Sequence, residues 1–234
     1  PDCFAGRSLR RGLGSTLAVW LMCWLAGSAS AEETLRIRIA WGGGGERLWK
    51  GTIGVSRGTV AEPIPLGIEA DEPGSMWLED SPVEVPASQE PDSGVALSGA
   101  HLRVQQRSPR TYDGVDVSVT APLGAAVRLQ LTAQDESKPS PWISIPIADL
   151  VGNSYSAALD DRGNRLLVRR APGDVLGIRL PRRSLVFAPG NVLRCEVEPH
   201  LLPVEAGTKV RLKAVMAPAR GGTQLWAHDA TFTA

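Results

Sequence analysis

Alternation of apolar and polar residues is the dominant pattern along this chain from about residue 35 onward. Apolar side chains occupy every second position in six segments, which are residues 35–41, 115–119, 127–131, 143–147, 176–180 and 210–214. A period of two places successive side chains on opposite faces of a β-strand. Each segment therefore predicts a strand with one buried and one solvated face, as in an antiparallel sandwich.

The sequence shows no uninterrupted helical pattern. Every window of helical length in which apolar residues recur with a period of 3.6 also contains a glycine or a proline. The chain contains 25 glycines and 18 prolines, which divide it into short segments. We predict an all-β fold of two antiparallel β-sandwich modules, immunoglobulin-like or jelly-roll-like, after a signal peptide. Residues 147–152 have room for one helical turn.

The first predicted module covers residues 32–171 and offers about eight to ten strands, which suffices for one large sandwich. Within it, residues 70–94 are rich in acids, proline and serine and predict a long surface excursion. Residues 135–141 predict a loop inside this module. A domain boundary at residues 135–141 is the alternative.

A short repeat marks the predicted boundary of the second module, which covers residues 172–234. Ala171-Pro172-Gly173-Asp174 recurs as Ala188-Pro189-Gly190-Asn191. Proline followed by glycine fits the two central positions of a type II turn. We expect each copy to lead into a strand of a second, immunoglobulin-like β module that is truncated in this chain.

The N-terminus has the three parts of a secretory signal. Arg7, Arg10 and Arg11 precede an apolar run at residues 17–26, and the small residues Ala29-Ser30-Ala31 follow. The apolar run is shorter than the roughly 20 residues that a transmembrane helix needs. We predict cleavage after Ala31, general secretion to the periplasm, cell surface or medium, and no membrane span in the mature chain.

Both ends of the sequence favour a fragment. The chain begins with proline rather than methionine, and residues 225–234 read as an unfinished strand. We expect it to be the front of a longer polypeptide, whose other domains would be its partners.

Charge argues against nucleic acid as a partner. Removal of residues 1–31 takes away three arginines and one aspartate and leaves 22 basic and 24 acidic residues, a net charge near −2. A phosphate backbone attracts proteins with a basic excess.

Cys195 is the only cysteine that remains after the predicted cleavage, so an intramolecular disulfide is excluded. It alternates with Leu193 and Val197, which predicts a buried strand cysteine. An intermolecular disulfide and a nucleophile are the alternatives.

Two glycine-containing motifs resemble catalytic or nucleotide-binding signatures without their context. Ser56 lies in Gly-Val-Ser-Arg-Gly, but two prolines follow where a nucleophile elbow needs a helix, and none of the three histidines has a triad context. The glycine run at residues 42–45 lacks the Gly-Lys-Ser/Thr of a phosphate loop. We predict no catalytic residue and no cofactor, and we interpret the glycine run as a flexible hairpin connection.

One loop and one tryptophan are the candidates for a metal site and a ligand site. Asp160, Asp161 and Asn164 are weak calcium candidates, since the loop carries oxygen ligands but lacks EF-hand spacing, and tight hairpins need the same residues. Otherwise no metal is predicted. Trp41 and Trp142 are expected in the core. Trp77 lies in the acidic excursion and is the predicted surface platform for stacking on a sugar ring.

A resemblance accompanies the second module. Residues 183–190, Arg-Ser-Leu-Val-Phe-Ala-Pro-Gly, and the alternating strand after them resemble the opening of macroglobulin-type and related bacterial immunoglobulin-like domains, with Asn191 where an acid is usual. The mature chain is similar to the N-terminal β-sandwich regions of large secreted bacterial proteins, some of which carry glycan-degrading domains.

Together these observations indicate a noncatalytic secreted module that acts as a spacer, docking or binding region. The alternative is a carbohydrate-binding accessory region of a glycan-degrading enzyme, with polysaccharide as its partner. An esterase-type hydrolase that uses Ser56 is the least supported hypothesis.

Overall fold

The computed structural model describes residues 31–66, 75–83, 97–180, 186, 188 and 190–234. Glu32–Ala234 form one compact unit. The predicted signal peptide lies outside the described residues except for Ala31. Most of residues 183–189, which carry the resemblance to immunoglobulin-like domains, also lie outside them.

Ten strands build a sandwich of two five-stranded sheets in which all paired strands are antiparallel. Sheet I has the order β3-β6-β1-β10-β9, and sheet II has the order β4-β5-β2-β7-β8. The strands are β1 (Glu32–Arg47), β2 (Trp49–Val55), β3 (Thr59–Pro65), β4 (Met76–Glu79), β5 (His101–Gln105), β6 (Arg110–Pro122), β7 (Ala126–Ala133), β8 (Ile143–Pro146), β9 (Tyr155–Ala158) and β10 (Arg165–Arg170). The predicted all-β sandwich is confirmed.

The core lies between the two sheets and consists of the alternating positions that the sequence pattern picks out. Strand β1 buries Leu35, Ile37, Ile39 and Trp41 with at most 2% exposure. The inward positions of β6 and β7 are equally buried, and they are Val115, Val117, Val119, Val127, Leu129 and Leu131. Burial of this apolar surface is the main favourable contribution to folding.

A single helical turn closes one end of the sandwich. Helix α1 (Ile147–Gly152) occupies the stretch in which the sequence has room for a helical turn, and it buries Ile147 and Leu150. The N–H of Ile147 donates to the carbonyl of Ala125 at 2.9 Å, which ties the helix to the start of β7. None of the helical structure in the described ranges is long or apolar enough to cross a bilayer.

The glycine run at residues 42–45 belongs to β1 and is not the flexible hairpin connection that we expected. Its backbone passes so close to neighbouring chain segments that a Cβ at Gly42 would lie 2.1 Å from the carbonyl oxygen of Thr111. A Cβ at Gly44 would lie 2.2 Å from the carbonyl oxygen of Arg162. The glycines are therefore packing positions in an irregular strand, and Leu48 then carries the chain from sheet I to sheet II.

Part of the predicted excursion at residues 70–94 is ordered into the sandwich. Strand β4 pairs with β5 and forms an edge of sheet II. Val83 forms an isolated bridge with Leu97, and Leu97 is 5% exposed. A Cβ at Gly54 would lie 2.8 Å from Leu97 Cδ1, so Leu97 covers this part of the sheet II surface.

Residues after Ala171 form two further two-stranded sheets. They pair β11 (Leu176–Arg179) with β12 (Glu196–Pro199), and β13 (Lys209–Met216) with β14 (Trp226–Thr233). Their alternating apolar positions are not buried as expected, since Ile178 is 68% exposed. The division between residues 171 and 172 stays a prediction.

Two details of this region bear on the sequence analysis. Gly173 and Gly190 both have a φ of 84°, as the third residue of a type II turn requires. Cys195 is exposed and free, so the prediction of a buried strand cysteine is wrong. Alternation with Leu193 and Val197 failed as a guide there because Leu193 and Cys195 precede β12 and are both exposed.

Arg170 fastens this region to the end of the sandwich. Its guanidinium donates to Asp174 Oδ2 at 2.6 Å, to the carbonyl of Leu201 at 2.6 Å and to the carbonyl of His200 at 2.9 Å. Asp174 Oδ1 also accepts from the N–H of Arg36 at 2.8 Å. The acid of the first Pro-Gly turn thus has a structural role that its sequence position did not reveal.

We expect core and surface isoleucines to differ sharply in stability measurements. Ile39→Ala removes a wholly buried side chain and should lower the free energy of unfolding by about 2–5 kcal/mol. Ile178→Ala should change it by less than about 0.5 kcal/mol, because that side chain is exposed. Urea unfolding followed by tryptophan fluorescence measures both, and equal losses would contradict the position of the core.

Candidate ligand-binding site

Ser56 has a structural role in the turn that joins β2 to β3. Its hydroxyl oxygen accepts from the N–H of Ala126 at 3.0 Å, and its own N–H donates to the carbonyl of Ala126 at 2.9 Å. Strand β3 follows, where a nucleophile elbow would need a helix. His101 is wholly buried on β5, and burial lowers its pKa. Among the described residues, no hydrogen bond joins Ser56 to a histidine.

The loop that contains the calcium candidates Asp160, Asp161 and Asn164 is organised around an arginine. Asp160 Oδ2 accepts from Arg47 Nη1 and from Asn164 Nδ2, both at 2.7 Å. Asp160 Oδ1 accepts the backbone N–H groups of Arg162 and Asn164. Asn164 Oδ1 accepts the N–H of Gly44 at 3.0 Å, whereas Asp161 is exposed.

Arg47 therefore supplies the positive charge that a calcium ion would supply at Asp160. Its side chain is 5% exposed and also donates to Asp135 Oδ1 at 2.6 Å and to Glu136 Oε1 at 3.1 Å. Within the described ranges no group of three metal-ligating acids, histidines or cysteines occurs. Calcium at this loop stays a prediction, and the guanidinium competes with it.

The Arg47 cluster, by which we mean Arg47, Asp135, Glu136 and Asp160, lowers the pKa values of Asp135 and Asp160. Burial alone would raise the pKa of Asp160, but hydrogen bonds from Asn164 and Arg47 outweigh it and lower that pKa. The hydrogen bond from Arg47 lowers the pKa of Asp135. Asp160 and Asp135 are thus held in their charged forms in the folded protein.

Trp77, the predicted sugar platform, lies on the edge strand β4 rather than in a loop and is 42% exposed. It faces Arg103 across the β4–β5 pair. The Arg103 guanidinium donates to Thr52 Oγ1 at 2.6 Å and lies 3.0 Å from Glu79 Oε2. Of the other tryptophans, Trp41 is buried as expected, whereas Trp142 is only partly buried.

A groove of about 540 Å³ lies on the solvent-facing side of sheet I and is the candidate site, which the sequence did not reveal. Strand register aligns Gly114 of β6, Ala40 of β1 and Leu167 of β10 in one row. Two of these residues have little or no side chain, so the row forms a depression. Ala40 and Leu167 line it, together with Leu66 at the end of β3.

Larger side chains form the walls on both sides of that row. On one side the register aligns Asp116, Arg38 and Arg169 across β6, β1 and β10. On the other side stands Tyr112, which faces Gly42 and is 70% exposed. An aromatic ring thus borders an apolar floor opposite a pair of guanidinium groups.

Gly43 determines where the Tyr112 ring lies. A Cβ at Gly43 would lie 3.3 Å from Tyr112 Cε1, so the ring lies against the bare backbone of the glycine. The φ of Gly43 is 101°, which other residues rarely adopt. The glycine run that resembled a phosphate loop instead supports one wall of the groove.

Charged groups in the groove are mostly paired. Arg38 Nε donates to Asp116 Oδ1 at 2.7 Å and Nη2 to Oδ2 at 2.9 Å, and this hydrogen bonding raises the pKa of Arg38. Asp113 is buried and accepts from Gln106 Nε2 and from the N–H of Gly114. Glu46 lines the end of the groove near Arg110 and is exposed.

Sequence reasoning missed this groove because its residues lie far apart in the chain and meet only through register. One signal was present. A small residue occupies the polar phase of a predicted strand at position 40, and glycines adjoin predicted strands at positions 42 and 114. A glycine within a strand often marks a close approach of backbone or ligand.

Comparison with protein-family models, curated proteins and solved structures found no match.

We expect the Arg47 cluster to be essential for stability. Arg47→Met leaves Asp160, 3% exposed, without its cation and should cost about 3–5 kcal/mol in the free energy of unfolding. Arg211→Met breaks the exposed Arg211–Asp229 pair on β13 and β14 and should cost about 0–1 kcal/mol. Urea titration measures both, and similar small losses would show that the cluster contributes little.

Acid should weaken the protein through the same cluster. The pKa values of Asp160 and Asp135 are lowered in the folded state, so their stabilisation is present above the unfolded pKa of about 3.9 and is lost as pH falls through the folded values. Asp160→Asn should flatten the fall of unfolding free energy below about pH 4. Asp229→Asn is the matched exposed control, and an unchanged acid slope in Asp160→Asn would refute this assignment.

Proposed function

We propose that this chain is a noncatalytic, saccharide-binding module of a secreted protein, with the groove on sheet I as its binding site. The observation that carries the proposal is the pairing of an exposed Tyr112 ring with an apolar floor bordered by charged groups. A pyranose ring has the complementary form, with an apolar face of C–H groups and a rim of hydroxyls. Tyrosine rings contact such faces with little loss of conformational entropy.

Support for a noncatalytic role comes from the residues that the chemistry would need. Ser56 is hydrogen-bonded to the backbone in a turn, and His101 is buried beneath the segment that contains Leu97. Secretion rests on the N-terminal sequence pattern. Contact with other domains of a longer chain is a further part of the proposal, supported by exposed apolar side chains such as Ile178 and Trp226.

A second candidate site for the same class of ligand is the sheet edge at Trp77. This site is favoured because the large aromatic side chain of Trp77 is 42% exposed on an edge strand, beside Arg103 and Glu79. This alternative fits an accessory region of a glycan-degrading enzyme equally well.

Affinity electrophoresis of the protein through gels that contain neutral or acidic polysaccharides tests both sites. We expect retardation on at least one polysaccharide, and we expect Tyr112→Ala to weaken binding about tenfold, since an aromatic contact contributes about 1 kcal/mol or more. Trp77→Ala tests the second site by an equivalent truncation, because both side chains are exposed and neither supports the core.

Each other outcome has a definite meaning. Loss of retardation in Trp77→Ala but not in Tyr112→Ala would move the site to the β4 edge. No retardation of the unsubstituted protein on any polysaccharide would contradict saccharide binding.

A further inference from the structure

Arg169 is the charged residue of the groove whose position the fold does not explain. The β1–β10 register places it directly opposite Arg38, so two like charges face each other on the same side of the sheet. Such cross-strand pairs of like charge are destabilising. Arg169 is also exposed, so it contributes no burial in return.

The nearest acid in the register neutralises only one of the two arginines. Asp116 faces Arg38 on the β6 side, and each of its carboxylate oxygens accepts a hydrogen bond from the Arg38 guanidinium. This fork arrangement uses both oxygens in one planar pair. Both carboxylate oxygens of Asp116 are therefore occupied by Arg38. Arg169 lies on β10, one strand further from Asp116 than Arg38 does.

The other acids of the groove do not pair with Arg169 either. Asp113 is buried, and its carboxylate accepts hydrogen bonds from Gln106 Nε2 and from the N–H of Gly114. Glu46 lines the groove with Arg110 and Pro109, toward the opposite end of β1 from Arg38. Among the described residues, no ion pair or hydrogen bond joins the Arg169 side chain to another group.

We propose that the groove selects sugars that carry a carboxylate, such as the uronic acid residues of an acidic polysaccharide, and that Arg169 binds that carboxylate. This inference rests on the proposed saccharide-binding function and adds the chemical class of the ligand. The planar guanidinium of arginine matches a carboxylate with two parallel hydrogen bonds. A ligand carboxylate at this point would also relieve the repulsion between Arg169 and Arg38.

The remaining groups of the groove fit the rest of such a sugar. Ala40 and Leu167 form an apolar floor, and the Tyr112 ring stands across the floor from the arginines. Glu46, at the far end, is an acceptor for sugar hydroxyls. One uncompensated guanidinium favours one carboxylate per site, whereas a polyphosphate would need a cluster of cations.

The test uses one polysaccharide in two charge states. Polygalacturonate and its methyl ester have the same backbone, and only the first presents free carboxylates. Affinity electrophoresis at about 0.15 M salt, where long-range charge effects are screened, should show stronger retardation on the free acid. Arg169→Gln should weaken binding to the free acid about tenfold, as loss of a charge-assisted hydrogen bond does, and leave binding to the ester unchanged.

Arg165→Gln is the matched control, because Arg165 is exposed on the same strand and the same face but does not line the groove. Arg169→Lys should retain part of the preference for the free acid. Equal losses in Arg165→Gln and Arg169→Gln would overturn the proposal in favour of general surface charge. Release of the protein from the polysaccharide by polyglutamate, at equal carboxylate concentration, would overturn the sugar requirement.

Failure of this inference can be distinguished from failure of the proposed function. Equal retardation on the acid and the ester, abolished by Tyr112→Ala, would overturn carboxylate selection and keep saccharide binding in the groove. No retardation on either form or on any neutral polysaccharide would overturn both.

Discussion

The arrangement of the sandwich depends on the ion pairs that compensate for the buried charge of Arg47. Arg47 ends β1 in sheet I, and Trp49 begins β2 in sheet II, so the chain changes sheets at this point. A buried guanidinium is tolerated only when acids and hydrogen bonds compensate for its lost hydration. Its partners come from the loop at residues 135–136 and from Asp160, which are thereby held at the same end of the sandwich. The groove depends on this too, since Glu46, which lines it, directly precedes the anchored residue.

The sequence was sufficient for those parts of the fold that follow from local periodicity. Alternation at residues 35–41 predicts a strand and its inward face because only the side-chain period is needed, and the burial of Ile37 and Ile39 agrees with it. The same pattern at residues 176–180 correctly predicts the strand β11, but the buried face that it also predicts is not observed. Periodicity shows which side chains share a face, whereas burial also needs a second layer, and Ile178 has none over it.

The candidate site could not be predicted in the same way, because it depends on register and on pairs that are distant in sequence. Arg38 meets Asp116 and faces Arg169 only when β6 and β10 flank β1 in one particular alignment. The loop that contains Asp160 has the composition of a cation-binding loop, but its cationic partner, Arg47, lies far away in the sequence. The glycines at residues 42–45 were recognised as special for the wrong reason. They provide close backbone approach, which composition cannot distinguish from flexibility.

In the row of residues that forms the floor of the groove, the positions that determine ligand specificity are different from the positions that the fold requires. A Cβ at Gly114 would lie 2.8 Å from the carbonyl oxygen of Ile39, so the depth of the row at that point is dictated by the packing of the backbone. Ala40 and Leu167, in contrast, point to solvent and have no role in the core. Directed evolution at these two positions would therefore reshape the binding surface while the hydrogen-bond ladder beneath stays intact. A natural lineage would have the same freedom to change its ligand without rebuilding the sandwich.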